Sequence, residues 1–117
     1  MIAGHVTDDG VPVINIQFAG REWTAIVDTG FNGELELPRA LQQHVNAQIV
    51  GRVFSLLAGG HRIEEDAYLV DFQFDGQTVC VQATFADSSE ILLGTRLLHG
   101  HRLEIDFRTG TVLIDAS

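Results

Sequence analysis

Seven basic residues, all of them arginine, stand against sixteen acids in a chain of 117 residues. The net charge of −9 and pI near 4.7 argue against a nucleic-acid partner or an anionic membrane surface, both of which need a cationic face. A chain 45% hydrophobic and 20% charged reads as one soluble globular domain; it has no apolar run of membrane-spanning length, and its one cysteine, Cys80, excludes an internal disulfide or a paired-cysteine zinc or redox site.

The segment Met1–Gly10 lacks a basic region followed by a long apolar stretch, so no secretory signal is read and a cytoplasmic location is expected. Val13–Phe18 reads as a strand. Ala19-Gly20-Arg21-Glu22 turns the chain, and Trp23–Val27 returns it. Pro38 suits the first turn of a helix, with Leu41 and Val45 on one face and an end near Asn46 or Ala47. Val53–Val70 reads as a long hairpin with a glycine-rich tip at Ala58-Gly59-Gly60. Tyr68–Phe74, the turn dipeptide Asp75-Gly76 and Thr78–Phe85 form a further hairpin, with Val79, Val81, Ala83 and Phe85 alternating on one face. A second short helix is expected over Thr95–His99, stopped by Gly100. Leu103–Phe107 and Thr111–Ile114 close the chain as a hairpin around Arg108-Thr109-Gly110. The expectation is an all-β domain with one or two short helices.

Ile16-Gln17-Phe18-Ala19-Gly20 is echoed by Phe72-Gln73-Phe74-Asp75-Gly76. Each copy leads into an apolar pair and a glycine, through Ile26-Val27-Asp28-Thr29-Gly30 in the first and Leu92-Leu93-Gly94 in the second. Two hairpins of similar composition explain this; so does a domain of two pseudo-twofold halves.

The feature that carries chemistry is Asp28-Thr29-Gly30-Phe31 at the end of an apolar strand. Partly dry surroundings and nearby backbone donors fix a carboxylate and stabilise its charged form. The plain alternative is an Asp making a side-chain turn onto its own backbone. Other candidates read more simply. His99 and His101 flank Gly100 and read as surface histidines rather than metal ligands; His61 reads as an exposed loop residue. Cys80 lies in a strand with no activating base in view, and Glu64-Glu65-Asp66 reads as a solvated acidic face, the alternative being selection of basic peptides. Neither metal nor cofactor is expected.

Taken together, Val13–Gly30, the Gly59-Gly60 tip and Leu92-Leu93-Gly94-Thr95-Arg96-Leu97-Leu98 resemble the single-lobe, retropepsin-like aspartic proteases of clan AA over nearly the whole chain. Asp28-Thr29-Gly30-Phe31 resembles in particular a group of small prokaryotic members. The resemblance implies one acid-protease domain over 1–117, a closed β-barrel lobe that works as a homodimer. Asp28 would be catalytic, facing its mate across a twofold axis and sharing one proton with it. Thr29 and Gly30 would support the site. Asn32, Ala58, Gly59, Gly60, Leu93 and Gly94 would line the binding groove for a peptide or protein substrate. There are departures. Asn32 and Thr95 stand where retroviral members place a paired acid and arginine, Phe31 replaces a small residue, and Thr111–Ile114 is an additional strand. The alternative is a non-catalytic dimeric module that binds a peptide or protein tail in the same groove.

Overall fold

The computed structural model describes residues 1–45, 47–56 and 59–116, with the side chains of 55 and 56 left out. Among these residues ten strands form one sheet. They are β1 (Ile2–Val6), β2 (Pro12–Phe18), β3 (Arg21–Val27), β4 (Leu35–Pro38) and β5 (Gln48–Leu56) in the first half. β6 (Arg62–Phe74), β7 (Gln77–Ala86), β8 (Ile91–Leu93), β9 (Arg102–Asp106) and β10 (Thr111–Asp115) complete it. The order across the sheet is β5-β6-β7-β4-β8-β3-β2-β1-β10-β9.

The strands follow from alternation. In β2 the buried residues Ile14, Ile16 and Phe18 point inward; Phe72 and Phe74 of β6 and Val81, Ala83 and Phe85 of β7 do the same. The sheet curls so that β2 meets β6, with the Phe18 and Phe72 rings 6.3 Å apart and Phe72 stacked on Phe74 at 5.7 Å. Leu35, Leu37, Ile91 and Leu93 fill the centre. The ladders do not close into the expected barrel. Among the described residues β5 and β9 are edges, because the final hairpin adds its strands outside β1, with β10 pairing β1 over Ile2–His5.

The echoed segments occupy equivalent turns. Ala19-Gly20 and Asp75-Gly76 are two-residue turns with both φ angles positive, 51° and 78° in the first and 52° and 77° in the second. That conformation matches the right-handed twist of a hairpin. Arg21 and Glu22, expected in the turn, belong to β3. Each hairpin is followed by a short strand that pairs parallel with the other half: β4 with β7, and β8 with β3. β4 and β8 then pair antiparallel at the centre. The six-strand order β6-β7-β4-β8-β3-β2 therefore maps onto itself when the halves are exchanged.

The helical expectations are corrected. After Pro38 the chain makes a 3-10 helix, Arg39–His44, and Val45 is already extended at φ −126° and ψ 149°; Asn46 lies outside the described residues. Thr95–His99 is a run of turns, with the N–H of Leu98 on the Thr95 carbonyl at 3.2 Å and that of His99 on Arg96 at 3.4 Å. The amides of Thr95 and Arg96 are committed to another loop, which fixes the entry to this segment.

Ala19 is a left-handed residue with a Cβ, a conformation that costs about 1 kcal/mol and that Asn tolerates better. Ala19→Asn should therefore stabilise the chain by up to about 1 kcal/mol, measured as an increase in the urea midpoint at unchanged m-value.

Candidate active site

β3 runs into the sheet centre and ends at Asp28, which is half-buried. Two contacts place it. Its N–H donates to the Leu93 carbonyl at 2.9 Å, continuing the parallel β3–β8 ladder, and its own carbonyl accepts from the Phe31 N–H at 3.1 Å. The side chain folds onto the turn, with Oδ1 accepting from the Gly30 N–H at 2.9 Å. Thr29 and Gly30 are exposed, as is Asn32. This local bond is the side-chain turn anticipated as the plain reading of Asp28, and it also leaves the carboxylate fixed beside exposed backbone.

The turn is clamped to the segment after β8. The Thr95 N–H donates to the Phe31 carbonyl at 2.9 Å, Arg96 N–H to Gly33 at 3.2 Å, and Gly94 N–H to Glu34 at 3.0 Å. The Thr95 hydroxyl lies 3.4 Å from the same Phe31 oxygen. Asn32 and Thr95 make no ion pair; backbone bonds hold the two loops instead. Gly94 is required here by space. A Cβ on it would lie 2.0 Å from the Gly33 carbonyl oxygen and 2.8 Å from the Phe31 ring. Leu93, expected in the groove, turns its side chain wholly into the core and serves the site through its carbonyl.

Gly59 and Gly60 lie at the exposed tip between β5 and β6, with φ of 88° and 83°. Ala58 falls outside the described residues. The arms of this hairpin pair from Gln48↔Leu69 to Leu56↔Arg62, with a bulge between Ile49 and Gly51. Across them Arg52 reaches Glu64 at 2.9 Å and Asp66 at 3.7 Å, so two of the three acids in the Glu64-Glu65-Asp66 run face a cation.

Three side chains that no sequence motif marks, Glu36, Gln82 and Thr84, lie on the sheet face opposite the core. Glu36 pairs in register with Thr84 on one side and Leu92 on the other. Gln82 lies two residues before Thr84, and its N–H donates to Glu34 Oε1 at 3.0 Å. The alternation of Val79, Val81, Ala83 and Phe85 already assigned Gln82 and Thr84 to the other face. Burial pushes the Glu36 carboxyl above its ordinary value of 4.5, and the Glu65 and Asp28 carboxylates add to the shift.

The remaining candidates take plain positions. The His101 ring lies against Phe74 at 5.4 Å, with Nδ1 3.2 Å from the His99 carbonyl. No cluster of His, Cys, Asp or Glu among the described residues is arranged for a metal. Cys80 is exposed on β7 and His61 on the hairpin tip. Among the described residues no helix is long and apolar enough to cross a membrane.

No protein-family model matches the chain, and no curated protein sequence does. Solved structures do. A retropepsin-like aspartic protease from Rickettsia conorii superposes with a TM-score of 0.65 over 97% of this chain and 89% of its own, at 19% identity. The foamy viral protease-reverse transcriptase, solved with an RNA/DNA hybrid, matches with a TM-score of 0.59 at 16% identity. That match covers 80% of this chain and 13% of the viral one. At these identities the likeness establishes the fold: this chain is built as a retropepsin-like lobe.

Two outcomes follow from the geometry. Gly94→Ala should destabilise the chain by about 2 kcal/mol or more, because backbone must move to admit the methyl group; chemical denaturation measures it. A carboxyl whose folded value is raised binds its proton more tightly in the folded state, so it lowers stability as pH rises above the ordinary value. Glu36→Gln should therefore be more stable than the parent at pH 7, with the difference vanishing as pH falls through 4.5. Thermal melts of the pair across that range check it.

Proposed function

We propose that the chain is an aspartic endopeptidase of the retropepsin-like type, akin to the small prokaryotic Asp-Thr-Gly-Phe members, acting as a homodimer through Asp28 of two protomers. The observation that carries this reading is the position of Asp28. It stands half-buried at the end of a central strand, one oxygen held by the Gly30 N–H, in a fold similar to aspartic proteases along 97% of the chain.

The chemistry needs two carboxylates, and each lobe brings one Asp28. Two carboxylates about 3 Å apart do not both ionise, so the pair holds one proton. The ionised member takes a proton from a water molecule between them. The water oxygen attacks the scissile carbonyl carbon, while the protonated member donates to the carbonyl oxygen. Collapse of the tetrahedral intermediate breaks the C–N bond, and the amine leaves with a proton from the pair. Thr29 and Gly30, exposed in a single protomer, supply a cross-axis hydrogen bond and backbone for an extended peptide. Asn32 borders the groove, and the tip bearing Gly59 and Gly60 closes over the peptide and excludes water. Leu93 and Gly94 hold the Asp28 turn from below. No metal or cofactor takes part, and the working place is the cytoplasm.

A second reading is a non-catalytic module that binds an extended peptide or protein tail in the same groove. The observation favouring it is the pairing of β1 with β10 of its own chain and the lack of an ion pair between Asn32 and Thr95. Dimers must then form through other edges, β9 among them.

Sedimentation from roughly micromolar to sub-millimolar protein should reveal a concentration-dependent dimer; a monomer throughout moves the assignment to the binding module. In a peptide-library assay Asp28→Asn should abolish cleavage while leaving the fold and the dimer intact. The native rate should peak on the acidic side of neutral, and a rate still rising above pH 8 excludes the shared-proton mechanism.

A further inference from the structure

Beside the Asp28 turn lies a cavity of about 400 Å³. Its floor is the turn and β4, from Phe31 to Leu35, with Gln82 and Thr84 of β7. Its roof is Arg52, Val53 and Phe54 of β5, an arm of the glycine-tipped hairpin. The walls combine two aromatic rings, Phe31 and Phe54, with several polar side chains that have no partner among the described residues.

Thr84 is the sharpest of these. It is 7% exposed, its hydroxyl oxygen is buried, and no hydrogen-bond partner reaches it among the described residues. A buried hydroxyl without a partner is destabilising, and Val would fill the same space without that penalty. The side-chain amides of Asn32 and Gln82 and the guanidinium of Arg96 make no hydrogen bond or ion pair among the described residues either, and all three line the same cavity. Arg52 differs, since Glu64 and Asp66 already face it. Glu34 Oε1 accepts from the Gln82 N–H at 3.0 Å, and Oε2 takes no hydrogen bond among the described residues.

Among the described residues that line it, the cavity therefore offers one uncommitted cation, Arg96, and one half-committed anion, Glu34. An acidic side chain entering it meets Glu34, and a basic one meets Arg96. A carboxamide answers both, its oxygen accepting from Arg96 or Thr84 and its NH₂ donating to the Glu34 carboxylate, between two aromatic rings. We propose that this cavity is a side-chain subsite for glutamine or asparagine in an extended peptide, with Thr84, Arg96 and Glu34 as its specificity determinants. The assignment rests on the groove reading above, and it holds whether or not the bound peptide is cut.

The test uses the full chain carrying Asp28→Asn, which binds without cutting, and a library of extended peptides with each position varied in turn. One position should select glutamine or asparagine over glutamate, lysine and leucine by about tenfold, the discrimination expected when buried polar groups would otherwise stay unpaired. Adding Thr84→Val should bring that preference close to parity while selection at the other positions stays as it was. Arg96→Met, a change at an exposed side chain, should do the same. Thr84→Val should also raise the melting temperature by about 4 °C, which certifies that the variant folds. Selection of an apolar or charged residue at every position overturns the proposal, and so does a glutamine preference untouched by Thr84→Val. Cleavage by the native chain with no carboxamide preference overturns the subsite and leaves the peptidase reading standing. A library in which nothing binds and nothing is cut overturns both.

Discussion

The structure depends on four backbone hydrogen bonds that join the turn after β3 to the turn after β8. They run from Asp28 to Leu93, from Gly94 to Glu34, from Thr95 to Phe31 and from Arg96 to Gly33. Each end of the clamp holds its loop in a fixed place beside the core strands. The approach is close enough that only glycine fits at position 94. Backbone amides do here what a charged pair would otherwise do, without the penalty of removing two charges from water. Leu35, Leu37, Ile91 and Leu93 lie directly beneath, so the packed centre of the sheet and the placement of the carboxylate are one arrangement.

On the opposite face of the same strands the chemistry is reversed. β4 and β7 bury Leu35, Leu37, Ala83 and Phe85 inward and present Glu36, Gln82 and Thr84 outward, with Glu34 just before β4. Burial on that side leaves a carboxyl pushed above its ordinary value and a hydroxyl without a partner among the described residues. A fold optimised for stability alone would have placed apolar or fully paired groups there. The hairpin of β5 and β6 reaches over this face, its two arms tied together by Arg52 to Glu64 and Asp66.

Much of this was legible in the residues. The alternating hydrophobic runs of β2, β3, β6 and β7 and the turn dipeptides Ala19-Gly20 and Asp75-Gly76 marked the hairpins, because a period of two and a left-handed turn are local properties. The echo between Phe18-Ala19-Gly20 and Phe74-Asp75-Gly76 was likewise visible as a pattern. β1, with Gly4 and His5 in Ile2–Val6, and β4, four residues running into Pro38, escaped notice. Neither carries a convincing period by itself, and each is made a strand by the partners on its two sides. The helix expected over Thr95–His99 failed for a similar reason. Its first amides are taken by Phe31 and Gly33, so the segment begins as part of a clamp rather than as a helix.

The sequence by itself determined an acidic all-β lobe, the strand that ends in Asp28, the glycine-rich hairpin tip and the resemblance to retropepsin-like proteases, since these rest on composition, short-range periodicity and contiguous motifs. Only the tertiary structure decided that the sheet stays open at β5 and β9, that Leu93 faces the core while its carbonyl positions Asp28, and that Glu34, Gln82, Thr84 and Arg96 meet around one cavity. Those facts depend on which strands become neighbours and in which register. Contacts between residues far apart in the chain are set by packing the whole sheet at once, and no local stretch of sequence encodes them.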